Sequence, residues 1–172
     1  IINSNKTDNN KKVCFINGRG YKMAGLKKLP IGIENFEEMR REDFYYVDKS
    51  HVIEQLLTQW GKVNLFTRPR RFGKTLNLSM LRYFFEKTDG NVFRPLFDGK
   101  RIREWKDFDK HQGQYPVIML TLKDCKADTF EDTLVRIGYE LKNEFTRHAY
   151  LLDSPKMRPN YLDDFMALYE GK

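Results

Sequence analysis

Gly73, Lys74 and Thr75 close the stretch Arg68-Pro69-Arg70-Arg71-Phe72-Gly73-Lys74-Thr75, and this order of residue types suits the grip of a polyphosphate. A glycine lets the main chain approach phosphate oxygens with no Cβ in the way. The next residue, Lys74, is placed for the β- and γ-phosphates, and the Thr75 hydroxyl for a Mg²⁺ ion. Phe72 and Leu76 flank the triplet and belong to the same phosphate-binding set through their backbone N–H groups. Arg70 and Arg71 are candidates for a γ-phosphate contact or for stabilising charge that develops in a reaction, as an arginine finger does. The same two charges equally suit a solvated loop or an acidic partner surface. The full pattern is G-x-x-x-x-G-K-[ST], and Arg68 stands where its first glycine belongs.

Such a loop works only when a strand enters it and a helix leaves it. Before it, Lys62-Val63-Asn64-Leu65-Phe66-Thr67 reads as a short strand. After it, Leu76, Met80, Leu81, Phe84 and Phe85 mark a helix from Thr75 to Lys87. The first N–H groups of that helix, with its dipole, would favour an anion.

The remaining elements follow from pattern and punctuation. Leu29-Pro30-Ile31-Gly32-Ile33 is an extended entry, and Asn35 caps a charged segment through Arg41. Phe44-Tyr45-Tyr46-Val47 is extended. Asp48 or Ser50 caps a helix from His51 to Trp60, which Gly61 ends. An irregular stretch from Gly90 to Gly113 is anchored by Phe93, Leu96, Phe97 and Trp105. Val117-Ile118-Met119-Leu120 has the continuous apolar character of a buried parallel strand. Asp128 and Glu131 open a long helix to about His148 with a stripe of Phe130, Leu134, Ile137, Leu141 and Phe145. A last helix lies near Tyr161–Tyr169. The series strand, loop, helix, strand, helix predicts an α/β fold, a P-loop NTPase-type parallel sheet flanked by helices.

Charge is unevenly spread. The net charge is +7, yet residues 1–28 hold seven basic side chains against Asp8 alone, and the remainder is close to neutral. The expected organisation is a basic, polar leader over 1–28 and an N-terminal part of a P-loop ATPase-like domain over 29–172. Such a leader touches nucleic acid indirectly at most, because it is not a basic face on a folded domain. The two cysteines, Cys14 and Cys125, match no metal or redox spacing and suit a reducing, cytoplasmic setting. No apolar run approaches the ~18 residues of a membrane span. His51, His111 and His148 form no ligand or catalytic grouping. The chain opens at Ile1 and stops at Lys172 directly after a helical pattern, so it is expected to be an incomplete portion whose partner is the C-terminal remainder of its own polypeptide.

Leu29-Pro30-Ile31-Gly32-Ile33, Phe44 to Ser50, Leu65 to Asn77 and Tyr115-Pro116-Val117-Ile118 together resemble the AAA-ATPase-like domain of uncharacterised bacterial P-loop proteins. The Arg-Pro-Arg-Arg-Phe-Gly-Lys-Thr string is the most specific part, and with it Arg68 at the first glycine position becomes a family feature. The resemblance implies ATP and Mg²⁺ as cofactors and phosphate binding at Gly73, Lys74 and Thr75. It implies that the segment before the loop lies near the base, with Ile33, Phe36, Tyr46 and Lys49 as candidates. It also implies a following PD-(D/E)XK nuclease-like domain in many such proteins, which these 172 residues do not include. Hydrolysis needs an acid at the end of a neighbouring apolar strand. Asp124 is the candidate, but it comes four residues past the run and behind Lys123, so catalytic residues stay unassigned and binding without turnover is the expectation. The competing reading is a nucleic-acid-binding domain that uses the arginine-rich loop and the basic leader.

Overall fold

The computed structural model describes residues 13–16, 19–22, 27–59, 61–67, 69 and 71–170. They divide between two compact units, Ile1–Leu81 with Pro95–Trp105, and Arg82–Arg94 with Lys106–Lys172. Strands β1 (Val13–Ile16) and β2 (Arg19–Lys22) pair antiparallel, from Val13 opposite Lys22 to Ile16 opposite Arg19.

In the first unit, α1 (Phe36–Arg41) starts because the Asn35 carboxamide oxygen accepts from Glu37 N at 2.8 Å and Glu38 N at 3.2 Å. Glu37 and Glu38 in its first turn and Arg40 and Arg41 in its last complement the helix dipole. Phe36 and Met39, three apart, face inward and are buried. Helix α2 (His51–Thr58) buries Ile53. Its preceding Ser50 sits at the cap position without capping; the fully buried hydroxyl instead accepts from Ile102 N at 3.1 Å. Helix α3 (Lys74–Phe85) follows the arginine-rich loop. Its Ser79 hydroxyl accepts from Phe36 N at 2.9 Å, and Met80 is buried beside it. Two 3₁₀ turns, Arg94–Phe97 and Arg101–Glu104, supply Leu96, Phe97 and Ile102 to this core. Phe97 and Tyr46 both pack on Phe36, each with ring centroids 5.3 Å away.

The second unit takes the last turn of α3, where Tyr83 and Phe84 are buried. It continues through α4 (Phe108–His111), α5 (Phe130–Arg147) and α6 (Pro159–Glu170). Phe84 packs edge-on against Phe108, and Phe145 against Phe165. Helix α5 starts at Thr129, whose hydroxyl accepts from Asp132 N at 3.1 Å; the expected Asp128–Glu131 capping pair is displaced by one residue. Glu86, Glu144 and His148 are buried polar groups. Arg147 joins the two carboxylates, pairing with Glu86 and holding Glu144 through Nε at 3.0 Å.

The expected parallel sheet is not formed. Among the described residues the paired strands are the antiparallel β1–β2 hairpin, and parallel pairing is limited to the single bridges Lys28–Phe44 and Glu86–Tyr115. The segment 64–67 forms no strand ladder among the described residues, and Val63 and Leu65 are exposed. The run after Tyr115 forms none either, and Ile118 is 65% and Leu120 48% exposed. A strand needs a second backbone to take its N–H and C=O groups. The first segment belongs to the first unit and the other to the second, and neither is in a sheet among the described residues. Phe130 and Leu134 of the expected α5 stripe are likewise exposed, whereas Phe145 is covered by α6.

Candidate functional site

The loop before α3 is bent by two left-handed residues, Arg71 at φ 66° and Gly73 at φ 72°, with Phe72 between them at negative φ. The bend leads directly into the N-terminus of α3, whose first N–H groups lack intrahelical acceptors. A Cβ placed on Gly73 would meet no protein atom within 4 Å, so glycine is required here by its backbone angle rather than by crowding. The Gly73 carbonyl accepts from Asn77 N at 2.9 Å, which closes the first turn of α3. Lys74 Nζ reaches back to the Pro69 carbonyl at 3.5 Å.

An open cleft of about 340 Å³ lies against this loop. Arg71, Phe72, Gly73, Leu76 and Asn77 form one side, and Pro30, Met39, Tyr45, Tyr46, Val47 and Lys49 the other. Among the described residues its lining is apolar apart from two cations, Arg71 and Lys49, the Asn77 carboxamide and the hydroxyls of Tyr45 and Tyr46, and it includes no carboxylate. That balance favours an anionic ligand with an apolar portion.

The wall opposite the loop is held in place by its own bonds. The Tyr46 hydroxyl donates to Met80 Sδ at 3.2 Å and accepts from Lys49 N at 3.3 Å. Burial of this phenol pushes its pKa up to about 12, a rise only partly offset by the Lys49 N–H. Lys100 Nζ lies 5.3 Å from the Tyr46 ring centroid, near enough for a cation–π attraction. Asp48 accepts from Ser50 N through Oδ1 and from Arg101 N through Oδ2, each at 2.9 Å. Partial burial would raise the pKa of this carboxyl, but the two N–H donors outweigh it and hold the group below its ordinary value.

Of the residues expected from sequence, Arg71, Phe72, Gly73 and Leu76 come together at the cleft, as do Tyr46 and Lys49. Lys74 and Thr75 are exposed on the first turn of α3 and do not line it. Phe36 is fully buried behind Tyr46, and Ile33 lies outside the lining. Arg68 and Arg70 fall outside the described residues. Asp124 is an exposed residue of the second unit, where its carbonyl accepts from Arg136 at 3.2 Å. Among the described residues no group of three His, Cys, Asp or Glu side chains is arranged to hold a metal, and no helix is long and apolar enough to cross a membrane. His111 and His148 are engaged locally, with Tyr115 at 2.7 Å and with the Val117 carbonyl at 2.8 Å. Sequence reasoning missed Asn77, Pro30, Met39, Tyr45 and Val47. Asn77 was accessible to it, because it stands four residues past Gly73 and so shares its helix face.

Three comparisons bear on this geometry. A family model described as "Predicted AAA-ATPase" matches residues 30–167. A protein of Azotobacter chroococcum mcd 1, described as "Uncharacterized protein in vnfD 5'region", is 41% identical over 96 residues. That alignment takes in 55% of this chain but 17% of the relative, so the chain spans far less than the relative's length. No solved structure matches.

Proposed function

We propose that this chain, which belongs to the predicted AAA-ATPase family, binds ATP, with the phosphates on the loop that ends in Thr75 and the base and ribose in the cleft. The observation that carries this reading is the cleft itself, which joins the left-handed Arg71–Gly73 turn to the apolar wall of Pro30, Tyr45 and Val47. Arg71 on the loop matches a polyphosphate in charge, and the first turn of α3 supplies backbone donors. Lys74 then reaches the β- and γ-phosphates from the first turn of α3. The Thr75 hydroxyl, exposed on the same turn, would hold Mg²⁺, which when bound neutralises and orients the phosphates. Hydrolysis would need in addition a carboxylate to orient water, and the proposal is for binding alone.

Titration of a fluorescent ATP analogue in Mg²⁺ against wild type and Lys74→Ala tests the reading. Loss of a charged contact to phosphate should weaken binding by about tenfold or more. Equal affinity in the two proteins would overturn it. Binding that survives the substitution and falls steeply with salt would favour nucleic acid as the ligand instead.

A further inference from the structure

The cleft wall Tyr46–Lys49 is fastened from behind by residues more than 50 positions later in the chain. Asp48 lies within this wall but lines no part of the cleft, while its neighbours Val47 and Lys49 do. One carboxylate oxygen holds Ser50 N and the other holds Arg101 N, each at 2.9 Å. Beside it, the buried Ser50 hydroxyl takes Ile102 N at 3.1 Å, and Lys100 reaches over the Tyr46 ring. The main-chain N–H groups of Arg101 and Ile102 are thus bonded to Asp48 and Ser50, beside the residues that line the cleft.

We infer that Asp48 is a positioning residue for nucleotide affinity: through its paired bonds to Ser50 and Arg101 it fixes the wall on which the base and ribose rest. This rests on the ATP-binding reading above, and it concerns the nucleoside half of the ligand alone. The phosphates meet Arg71 to Thr75, whereas the two hydrogen bonds of the Asp48 carboxylate go to Ser50 N and Arg101 N. A weakened fastening therefore costs affinity for ATP but spares a ligand made only of phosphates.

Two variants release the fastening from opposite ends. Asp48→Asn keeps one acceptor oxygen and loses the second. Arg101→Pro removes the N–H that Asp48 accepts while leaving the carboxylate untouched. Proline is tolerated at this position because Arg101 opens a 3₁₀ turn and Lys100 before it is extended, at φ −103° and ψ 148°. The probes are an ATP analogue and inorganic tripolyphosphate, each titrated against wild type, both variants and Lys74→Ala. Both variants should bind the ATP analogue about five- to tenfold more weakly and tripolyphosphate within about twofold of wild type. Lys74→Ala should lose affinity for both. Unchanged ATP affinity in the variants, or equal losses for the two probes, would overturn the role of Asp48. Failure of wild type to bind tripolyphosphate would instead count against the phosphate-loop reading. Should Asp48→Asn fail to fold, Arg101→Pro decides alone, since it leaves the carboxylate and its Ser50 bond in place.

Discussion

At the scale of single residues, Tyr46 ties the cleft to the core. Its ring rests edge-on against Phe36 and its hydroxyl spans Met80 and Lys49. The phenol ordinarily titrates near 10, and burial here lifts it to about 12. A group whose folded pKa is raised contributes stability that is intact below the unfolded value and is lost as pH climbs through the folded one. The fold should therefore weaken between about pH 10 and 12, by at most about 3 kcal/mol from this group. Tyr46→Phe removes the titration, so its urea midpoint should decline less steeply than wild type over that interval. Parallel declines would show that the hydroxyl is solvated in the native state. The sequence identified Tyr46 as a residue near the ligand but not as a fastened one, because its partners Met80 and Lys100 lie 34 and 54 positions away. Gly73 was singled out in the sequence for close approach to phosphate, and the structure shows it in a left-handed turn that the sequence reading did not anticipate. The left-handed Arg71 was not anticipated either, as nothing in a non-glycine residue type announces a positive φ.

At the scale of elements, helices were legible and sheet pairing was not. Asn35 and the charge order around it marked α1, and the apolar spacing of Leu76, Met80 and Phe84 marked α3 to within two residues at either end. Periodicity states which side of a segment is apolar, not what covers it. Val117–Leu120 looked fully buried for that reason, although alternate residues of the run face outward. The buried charges of α5 were also hidden, since Glu144, Arg147 and His148 look like an ordinary solvated helix end. In the structure Glu144 Oε1 accepts from Met119 N at 2.6 Å, and Arg147 donates to the Val117 carbonyl at 2.6 Å. Arg147 lies between two buried carboxylates, of which Glu86 keeps Arg82 as a second partner, so Arg147→Met should destabilise the protein by about 3 kcal/mol, chiefly by leaving Glu144 buried without its guanidinium. Adding Glu144→Gln should restore part of that loss by removing the charge of that carboxylate. A loss below about 1 kcal/mol for Arg147→Met in chemical denaturation would mean that water screens the cluster.

For the molecule as a whole, charge separates the two readings of its function. Net positive charge concentrates before residue 29, while the cleft brings its own cations, Lys49 and Arg71. The two sources are separable by truncation. Lys27 and Lys28 belong with the first unit, because Lys27 pairs with Asp43 and the Lys28 carbonyl accepts from Tyr45 N at 2.8 Å. The β1–β2 hairpin pairs only with itself among the described strands, so a deletion of residues 1–22 takes the hairpin away whole. That deletion takes away Lys6, Lys11, Lys12, Arg19 and Lys22 against Asp8. Retention on heparin at moderate salt should fall, because screened, sequence-independent attraction scales with the number of exposed cations. Affinity for the ATP analogue should stay within about twofold, since the deletion touches neither the loop nor the cleft wall, and twofold is well under 1 kcal/mol. If ATP affinity dropped together with heparin retention, the leader would be part of the ligand site, and nucleotide would be binding as one more polyanion on a basic tail.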